Sequence, residues 1–439
     1  MKAIIMAGGK GTRIASVTTD VPKPMIPVCG IPILQYQIES LRGSGLTDIR
    51  LVIGHLGNTI RDFFADGSQF GVHLSYFEET SPLGTAGALF QMDDLDDDFL
   101  LLCGDLMLDV DFNRFVDFHR KHKAWASLMT HPNGHPYDSS LIVTEILEPQ
   151  VEGGLPVDTK RVVRWMNKEE PRMYYKNRVN AGIEMISPKL LQATRERYQR
   201  LNQELPVKID LDRDVLKPLV DEGHIFAYDT TEYIKDMGTP DRYYEVEHDV
   251  MAGIVKARNL KQKQRAVFLD RDGTINEYVG FLSSAEQFKL IEGTAEAIRQ
   301  INKSGYLAIV ITNQPVIARG DCTFEQLRQI HDKMETELGK SGAYVDAIYV
   351  CPHHPDTGFE GERREYKKVC SCRKPNIGLL LQAEQDFHID LGRSFIIGDS
   401  MRDVEAGRNA GLKDSLLIQK NQEGQLMEAV QTIIKKNEQ

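Results

Sequence analysis

The chain has 439 residues, 41% hydrophobic and 27% charged, which is the balance of a soluble globular protein with material for two or three domains. Its formal net charge of −11 at pH 7 argues against a nucleic-acid partner, because phosphate backbones are bound by clustered Lys and Arg. No apolar run is long enough to cross a bilayer, and phosphorylated small molecules, which need only a few local cations, remain open as partners.

The first predicted strand covers residues 2–7 and runs into Gly8-Gly9-Lys10-Gly11-Thr12-Arg13. The glycines and Lys10 interrupt what would otherwise pass for a signal peptide, so a cytoplasmic protein is expected. Glycines here let backbone N–H groups approach a triphosphate, and a helix starting after them favours an anion. Taken alone, such a turn is as often purely structural. Pro22-Lys23-Pro24-Met25 follows, and flanking prolines fix where the lysine points. Lys23 and Arg13 converging on one glycine loop make a cationic site for a pyrophosphate. The bland reading is a proline-rich surface loop.

Further strands are predicted over 49–54 and over 99–105, the latter ending on Asp105. Asp236, by itself, reads as a solvated loop aspartate. Residues 251–264 are basic, Gln-rich and without strand alternation, and read as a helix end plus a linker. They separate a first domain at 1–250 from a second at 265–439. The second opens on a strand at 265–269, with others at 307–312 and 394–399. Apolar strands separated by helices predict an α/β fold in each half, with a parallel sheet covered on both faces. Ligands are expected at the carboxyl ends of the strands.

Asp270-Arg271-Asp272-Gly273-Thr274-Ile275 directly follows the 265–269 strand. One carboxylate can attack phosphorus while the second protonates the leaving oxygen and later activates water. A calcium-type acidic loop or a simple turn would use the same residues. Between 351 and 372, Cys351-Pro352-His353 and Cys370-Ser371-Cys372 supply three thiolates and an imidazole, a full tetrahedral shell for structural zinc. His354 is the alternative imidazole. Such a site would pin a polar loop that has no core of its own and contribute on the order of 10 kcal/mol to its folding.

The pieces AGGKGTR (7–13), DVPKPMIPV (20–28), ETSPLGTAGAL (79–89), CGDL (103–106), VNAGIEMIS (179–187) and YIKDMGTPDRY (233–243) resemble the sugar-1-phosphate nucleotidyltransferases over roughly residues 1–250. Within that family the chain is most similar to the D-glycero-α-D-manno-heptose 1-phosphate guanylyltransferases. The resemblance implies a Rossmann-like, GT-A-like domain that joins a nucleoside triphosphate to a sugar 1-phosphate and releases pyrophosphate. It places magnesium on Asp105 and Asp236, and it has Arg13 and Lys23 neutralise the triphosphate. Gly8, Gly9, Gly11 and Thr12 would cradle the nucleotide, with Gly84 against the base. Glu79 could accept from both N1–H and the exocyclic amine of guanine, which favours GTP. Lys168 would meet the sugar phosphate, with Asn180 also lining the substrate. Asn167 stands where relatives carry a glutamate that contacts sugar hydroxyls, so the sugar preference is the less secured part.

The second half resembles the haloacid dehalogenase (HAD) phosphatases, through DRDGT (270–274), Thr312, CRKP (372–375) and GDSMRD (398–403). The resemblance implies a HAD-like Rossmannoid domain with Asp270 as nucleophile and Asp272 as acid–base. Asp270, Asp399 and the backbone carbonyl of Asp272 would hold magnesium, while Thr312 and Lys374 hold the phosphoryl oxygens and Asp403 orients its neighbours. CPHHP…CSCRKP with Asn313-Gln314 and Ile317-Ala318-Arg319-Gly320 is similar to heptose 1,7-bisphosphate 7-phosphatases, with Arg319 and Arg373 gripping the sugar and its second phosphate. Pro315-Val316 departs from the Ser-Gly usual there. The two resemblances imply successive steps towards GDP-heptose, with heptose bisphosphate, heptose 1-phosphate and GTP as partners, neither nucleic acid nor membrane, and a homo-oligomer left open. The rivals are a histidinol-phosphate or other bisphosphate phosphatase fused to a transferase for another sugar, or one half serving as a non-catalytic regulatory module.

Overall fold

In the computed structural model of the chain, residues 1–8 and 21–437 are described. The first half is built on a nine-stranded sheet. Its order is His73–Glu78, Asp48–Ile53, Ala3–Met6, Phe99–Cys103, Val179–Ile186, Ala126–His131, Ile225–Asp229, Val157–Met166 and Leu141–Leu147. The first four strands are parallel, and their side chains are apolar on both faces. Ile5, Leu51 and Leu102 pack with Leu34, Ile38 and Leu41 of the helix Ile33–Gly43 on one side. Ile4, Val52 and Leu101 face a second core on the other. Successive residues of a strand point to opposite faces, so a continuous apolar run demands this double cover.

The remaining strands correct the expectation of a wholly parallel sheet. Val179–Ile186 runs antiparallel to both of its neighbours, and Leu141–Leu147 pairs antiparallel with Val157–Met166. These outer strands are not buried on both faces: Leu147, Val157 and Val163 are all exposed. Antiparallel pairing tolerates water on one face, whereas a parallel sheet does not. A separate two-stranded ribbon, Leu106–Asp109 with Tyr233–Asp236, sets Asp236 opposite Leu106 and hence beside Asp105.

The second half is a five-stranded, all-parallel sheet in the order Ala347–Cys351, Leu307–Asn313, Ala266–Leu269, Phe395–Gly398, Asp414–Leu417. Val267 and Leu269 enter one core and Ala266 and Phe268 the other. Asp270, Asn313 and Asp399 therefore emerge together at the carboxyl ends of three adjacent strands.

The segment 251–264, read from sequence as a helix end plus linker, forms the short helix Ile254–Ala257 and then a buried junction. Val255, Arg258, Asn259, Leu260 and Gln264 are all under 9% exposed. Arg258 spans the two halves: its guanidinium donates to Thr231 O and Tyr306 O and lies 3.1 Å from Asp346 Oδ1. Arg178 of the first half likewise donates to Asp346 O at 3.0 Å, and the Tyr175 amide donates to Thr336 Oγ1 at 2.9 Å. Among the described residues no helix is long and apolar enough to cross a membrane. Removing one partner of a buried ion pair leaves the other charge uncompensated, at a cost of about 3–5 kcal/mol. Arg258→Met is therefore expected to lower the free energy of chemical denaturation by about 3 kcal/mol, read from the urea midpoint.

Candidate active sites

In the second half, the strand Ala266–Leu269 delivers Asp270 into a cavity of about 270 Å³ that Asp272, Thr312, Asn313, Lys374 and Asp399 also line. Lys374 is 3% exposed and is the charge centre. Its Nζ lies 2.7 Å from Asp270 Oδ1 and 2.6 Å from Asp403 Oδ1, and donates to Ile311 O at 2.8 Å. Asn313 fixes the lysine's backbone by accepting from Lys374 N and donating to Lys374 O. Burial pushes the Asp270 carboxyl up to about 6 even though Lys374 works against it. Burial and the Asp270 charge also raise Asp399, although Lys420 Nζ lies 3.4 Å from its buried Oδ2 and works against the shift.

Asp270, Asp399 and Asp403 offer oxygens that all lie within 4.8 Å of one another. Three carboxylates around one point fit a hard divalent cation. The structure adds Asp403 to the expected pair and turns the Asp272 side chain away. Asp272 is gripped by Arg271, whose Nη2 donates to both of its oxygens at 2.9 Å, and it accepts from Gln314 Nε2 at 2.7 Å and Asn276 Nδ2 at 3.0 Å. Burial alone would raise this carboxyl, but Arg271 and the amide donors hold it below its usual range. A carboxylate aimed by three donors is suited to activate water, and it gains a proton when a phosphate dianion arrives beside it. Thr312, 1% exposed, accepts from Gln314 through its hydroxyl oxygen, so its own proton is left for the substrate side.

Arg373 lines the cavity and is anchored to His353 O. Arg319 does not reach it. Its guanidinium is stacked between the rings of Phe281 and Phe359, at 4.1 and 4.3 Å, and bonds Asp321 at 3.0 Å. Phe281 is the cavity wall, so Arg319 acts on the pocket from behind it. Pro315 and Val316, the departure noted in the sequence, do face the cavity. So does His354, which is therefore not the fourth member of the cysteine cluster. That cluster consists of Cys351, His353, Cys370 and Cys372. Sulfur–sulfur distances run from 3.1 to 3.6 Å, and His353 Nδ1 lies 3.3 Å from Cys372 Sγ. Four soft donors converging on one point fit tetrahedral zinc.

In the first half, Gly9, Gly11, Thr12 and Arg13 lie outside the described residues. Gly8 is described, and a Cβ built on it would meet Glu79 Oε2 at 2.9 Å. The glycine thus brings its backbone against the carboxylate. Burial raises the Glu79 carboxyl, and its Oε1 is buried with no donor among the described residues. Lys23, on a turn opened by Pro22, pairs with Asp105. Asp236, on the ribbon beside it, is held by Arg242 Nη1 at 2.7 Å to both oxygens. Gly84 has φ +83°, and a Cβ there would lie 2.3 Å from Ile209 O, so a chain crossing within the protein accounts for the glycine. Asn180 donates to the buried Glu184 at 3.1 Å and lines a second cavity together with Asp236. Lys168 is exposed and outside that cavity. Asn167 beside it instead accepts from Lys217 and donates to Glu170.

Sequence reasoning missed Arg271, Asn276 and Lys420 as parts of the phosphatase site. The first two lie within the DRDGT motif or next to it. Lys420, 3.4 Å from Asp399 Oδ2 and over the ring of Tyr278, sits in a loop near the end of the chain with no local signal.

The Nucleotidyl transferase family model matches residues 2–253, and a HAD-hydrolase-like model matches residues 371–430. The D-glycero-β-D-manno-heptose-1,7-bisphosphate 7-phosphatase of Pasteurella multocida is 42% identical over 155 residues, covering 35% of this chain and 82% of that protein. The Escherichia coli K12 protein of the same name is 39% identical over 153 residues, covering 35% and 78%. Among solved structures, HddC from Yersinia pseudotuberculosis complexed with GMP-PN aligns at 22% identity and a TM-score of 0.45, covering 57% of this chain and 99% of that one.

A Cβ on Gly273, at φ +90°, would lie 2.3 Å from Asp399 Oδ2. Gly273→Ala is therefore expected to lower phosphatase kcat at least a hundredfold while nucleotidyl transfer is kept, as read by separate phosphate and pyrophosphate release assays. The chain belongs to the nucleotidyl transferase family through its first half and to the HAD-type phosphatase family of the heptose-bisphosphate 7-phosphatases through its second.

Proposed function

We propose that the chain carries out two successive steps of nucleotide-activated heptose synthesis. The second half removes the 7-phosphate of D-glycero-D-manno-heptose 1,7-bisphosphate, and the first half transfers GMP from GTP to the resulting heptose 1-phosphate. The observation that carries the phosphatase step is the Lys374-centred carboxylate cluster, together with 42% identity to a named 7-phosphatase. In this reading Asp270 attacks the 7-phosphorus. Asp272 protonates the departing C7 oxygen, then takes a proton from the water that cleaves the aspartyl phosphate. Magnesium at Asp270 and Asp399, with Asp403, lowers the repulsion between the anionic nucleophile and the phosphate dianion. Thr312 and Lys374 hold the phosphoryl oxygens, and Arg373 meets the sugar end.

For the transfer step, the orphaned oxygen of Glu79 supports guanine. A buried carboxylate with an unfilled acceptor suits a base edge that carries two adjacent N–H donors, and adenine offers no such pair. Lys23, with Arg13, neutralises the triphosphate, and Asp105 and Asp236 hold the magnesium that the three anionic groups require. The sugar 1-phosphate oxygen then attacks the α-phosphorus and pyrophosphate leaves. The relatives are named for the β anomer. The α-bisphosphate is the substrate this reading requires, because the first half is read as taking up the α-1-phosphate, and Pro315 and Val316 line the cavity where a change of anomer preference would act.

The test is to incubate the protein with magnesium, GTP and either anomer of the bisphosphate, and to look for GDP-heptose by mass spectrometry. Product is expected from the α anomer, and its absence with both anomers would refute the reading. Asp270→Asn should abolish phosphate release and spare pyrophosphate release from added heptose 1-phosphate, while Lys23→Ala should do the reverse. The Cys351, His353, Cys370 and Cys372 cluster is read as structural zinc. One equivalent of zinc per chain is expected by elemental analysis, with less than a tenth of that in Cys372→Ser. A full equivalent in that variant would overturn the ligand set.

A further inference from the structure

The cavity that contains Asp236 and Asn180 does not close within the first half. It has a volume of about 410 Å³, and its far wall is made by Arg299, Asn302, Lys303 and Tyr344 of the phosphatase half. Two of the first-half segments around it are seated on that half. A Cβ on Gly134 would lie 2.8 Å from Gly342 O, and one on Gly339 would lie 2.6 Å from Pro136 Cγ. In the segment 175–178, next to Asn180, the amides of Tyr175 and Asn177 donate to Thr336 and Glu335, and the Arg178 guanidinium donates to Asp346 O. The charged groups of the phosphatase half that line the cavity are Arg299, Lys303 and Asp346, and Asp346 is already paired with Arg258, which leaves the two cations to set the sign of this wall. Arg299 is shared with Glu296, whereas Lys303 makes no ion pair among the described residues. Asn302 uses its amide on the Tyr344 backbone and so is held rigidly.

We propose that the phosphatase half builds part of the sugar-phosphate site of the transferase half, with Lys303 and Arg299 as its anion-attracting wall. The inference rests on the reading of Asp236 and Asn180 as the metal and acceptor end of the transfer site. A sugar 1-phosphate then passes Lys303 and Arg299 on entry with its phosphate leading towards Asp236, and its carbon chain comes to lie by Asn302 and Tyr344. The basic pair raises the local concentration of the anionic acceptor. The nucleotide, bound by the glycine loop and Glu79, does not touch this wall, so its affinity is independent of it.

The full-length protein is compared with Lys303→Ala and Lys303→Glu. Three quantities are measured: KM for heptose 1-phosphate, KM for GTP, and phosphatase kcat/KM. Lys303 lies at the amino ends of the phosphatase strands, away from Asp270, so unchanged phosphatase kcat/KM reports intact folding. We expect KM for the sugar phosphate to rise about threefold in the alanine variant and tenfold or more in the glutamate variant, with a steeper salt dependence in the wild type and KM for GTP within twofold. An unchanged sugar-phosphate KM in Lys303→Glu, or a parallel rise in both KM values, would overturn the proposal. Calorimetric binding of heptose 1-phosphate and mannose 1-phosphate, without GTP, separates the two readings. Weaker binding in Lys303→Glu with no turnover in the wild type keeps the wall and discards the assigned reaction. Equal binding discards the wall.

Discussion

A guanidinium buried between two cores holds this molecule together. Arg258 is 4% exposed and has no water to solvate it, so its charge must be met by Asp346 and its protons by the carbonyls of Thr231 and Tyr306. Those partners come from both halves. Asp346 is itself fixed, because its second oxygen accepts from the amide of Ala308 at 2.8 Å and its carbonyl accepts from Arg178. Leu260 N and Asp111 N meanwhile both donate to Glu232, whose carboxyl burial raises to about 7. The junction therefore has little freedom to hinge, because any rotation of one half against the other would strand a buried charge. That rigidity allows residues from one half to serve as wall for a cavity in the other.

The same electrostatic logic, with the opposite sign, organises each catalytic centre. Carboxylates are gathered where burial disfavours their charge, and each is stabilised by one well-placed cation. Lys374 sits between Asp270 and Asp403, Arg271 grips Asp272, Lys23 meets Asp105, and Arg242 meets Asp236. Glu79 Oε1 is a buried acceptor without a donor among the described residues, and on the proposed reading it is the base that fills it. Arg271 could not play its part if it were exposed. Fully buried, it has only Asp272 and His331 to bond, and burial with the neighbouring guanidinium holds His331 neutral, well below its usual range, at about 3.

Much of this was legible in the sequence because the decisive signals are local. A strand that is apolar on both faces and ends on Asp270 or Asp105 announces both its burial and its functional end, and Cys351-Pro352-His353 with Cys370-Ser371-Cys372 needs only two short segments to come together. The mixed character of the first sheet was not legible from the strands at 49–54 and 99–105, since Val179–Ile186 is antiparallel yet mostly buried like them, and the outer strands Leu141–Leu147 and Val157–Met166 carry weaker, partly exposed patterns. Arg319 was assigned to the sugar and its second phosphate through the resemblance of Ile317-Ala318-Arg319-Gly320 to the heptose-bisphosphate phosphatases. Its capture by Phe281 and Phe359, far from it in sequence, could be seen only in three dimensions. Residues 251–264 read as a helix end plus linker because they are basic and Gln-rich, yet Arg258 donates to Tyr306 O, Asn259 to the Asp109 carboxylate and Gln264 to carbonyls of the junction itself, which composition alone does not distinguish from solvation.

The placement of the two sites also constrains how they can work together. Asp270, Thr312 and Asp399 lie at the carboxyl ends of the five-stranded sheet, whereas Tyr306 and Asp346, which meet Arg258, precede the amino ends of Leu307–Asn313 and Ala347–Cys351, and Asp346 borders the cavity shared with the first half. A sheet of this kind is traversed end to end by tightly packed side chains such as Ile309, Val310 and Ile311, each 0% exposed, and offers no passage along its strands. A product released at one end reaches the other only around the outside. The benefit of joining the two halves is then structural: the phosphatase scaffold supplies, at the end that does no chemistry, the surface on which the transferase completes its acceptor pocket.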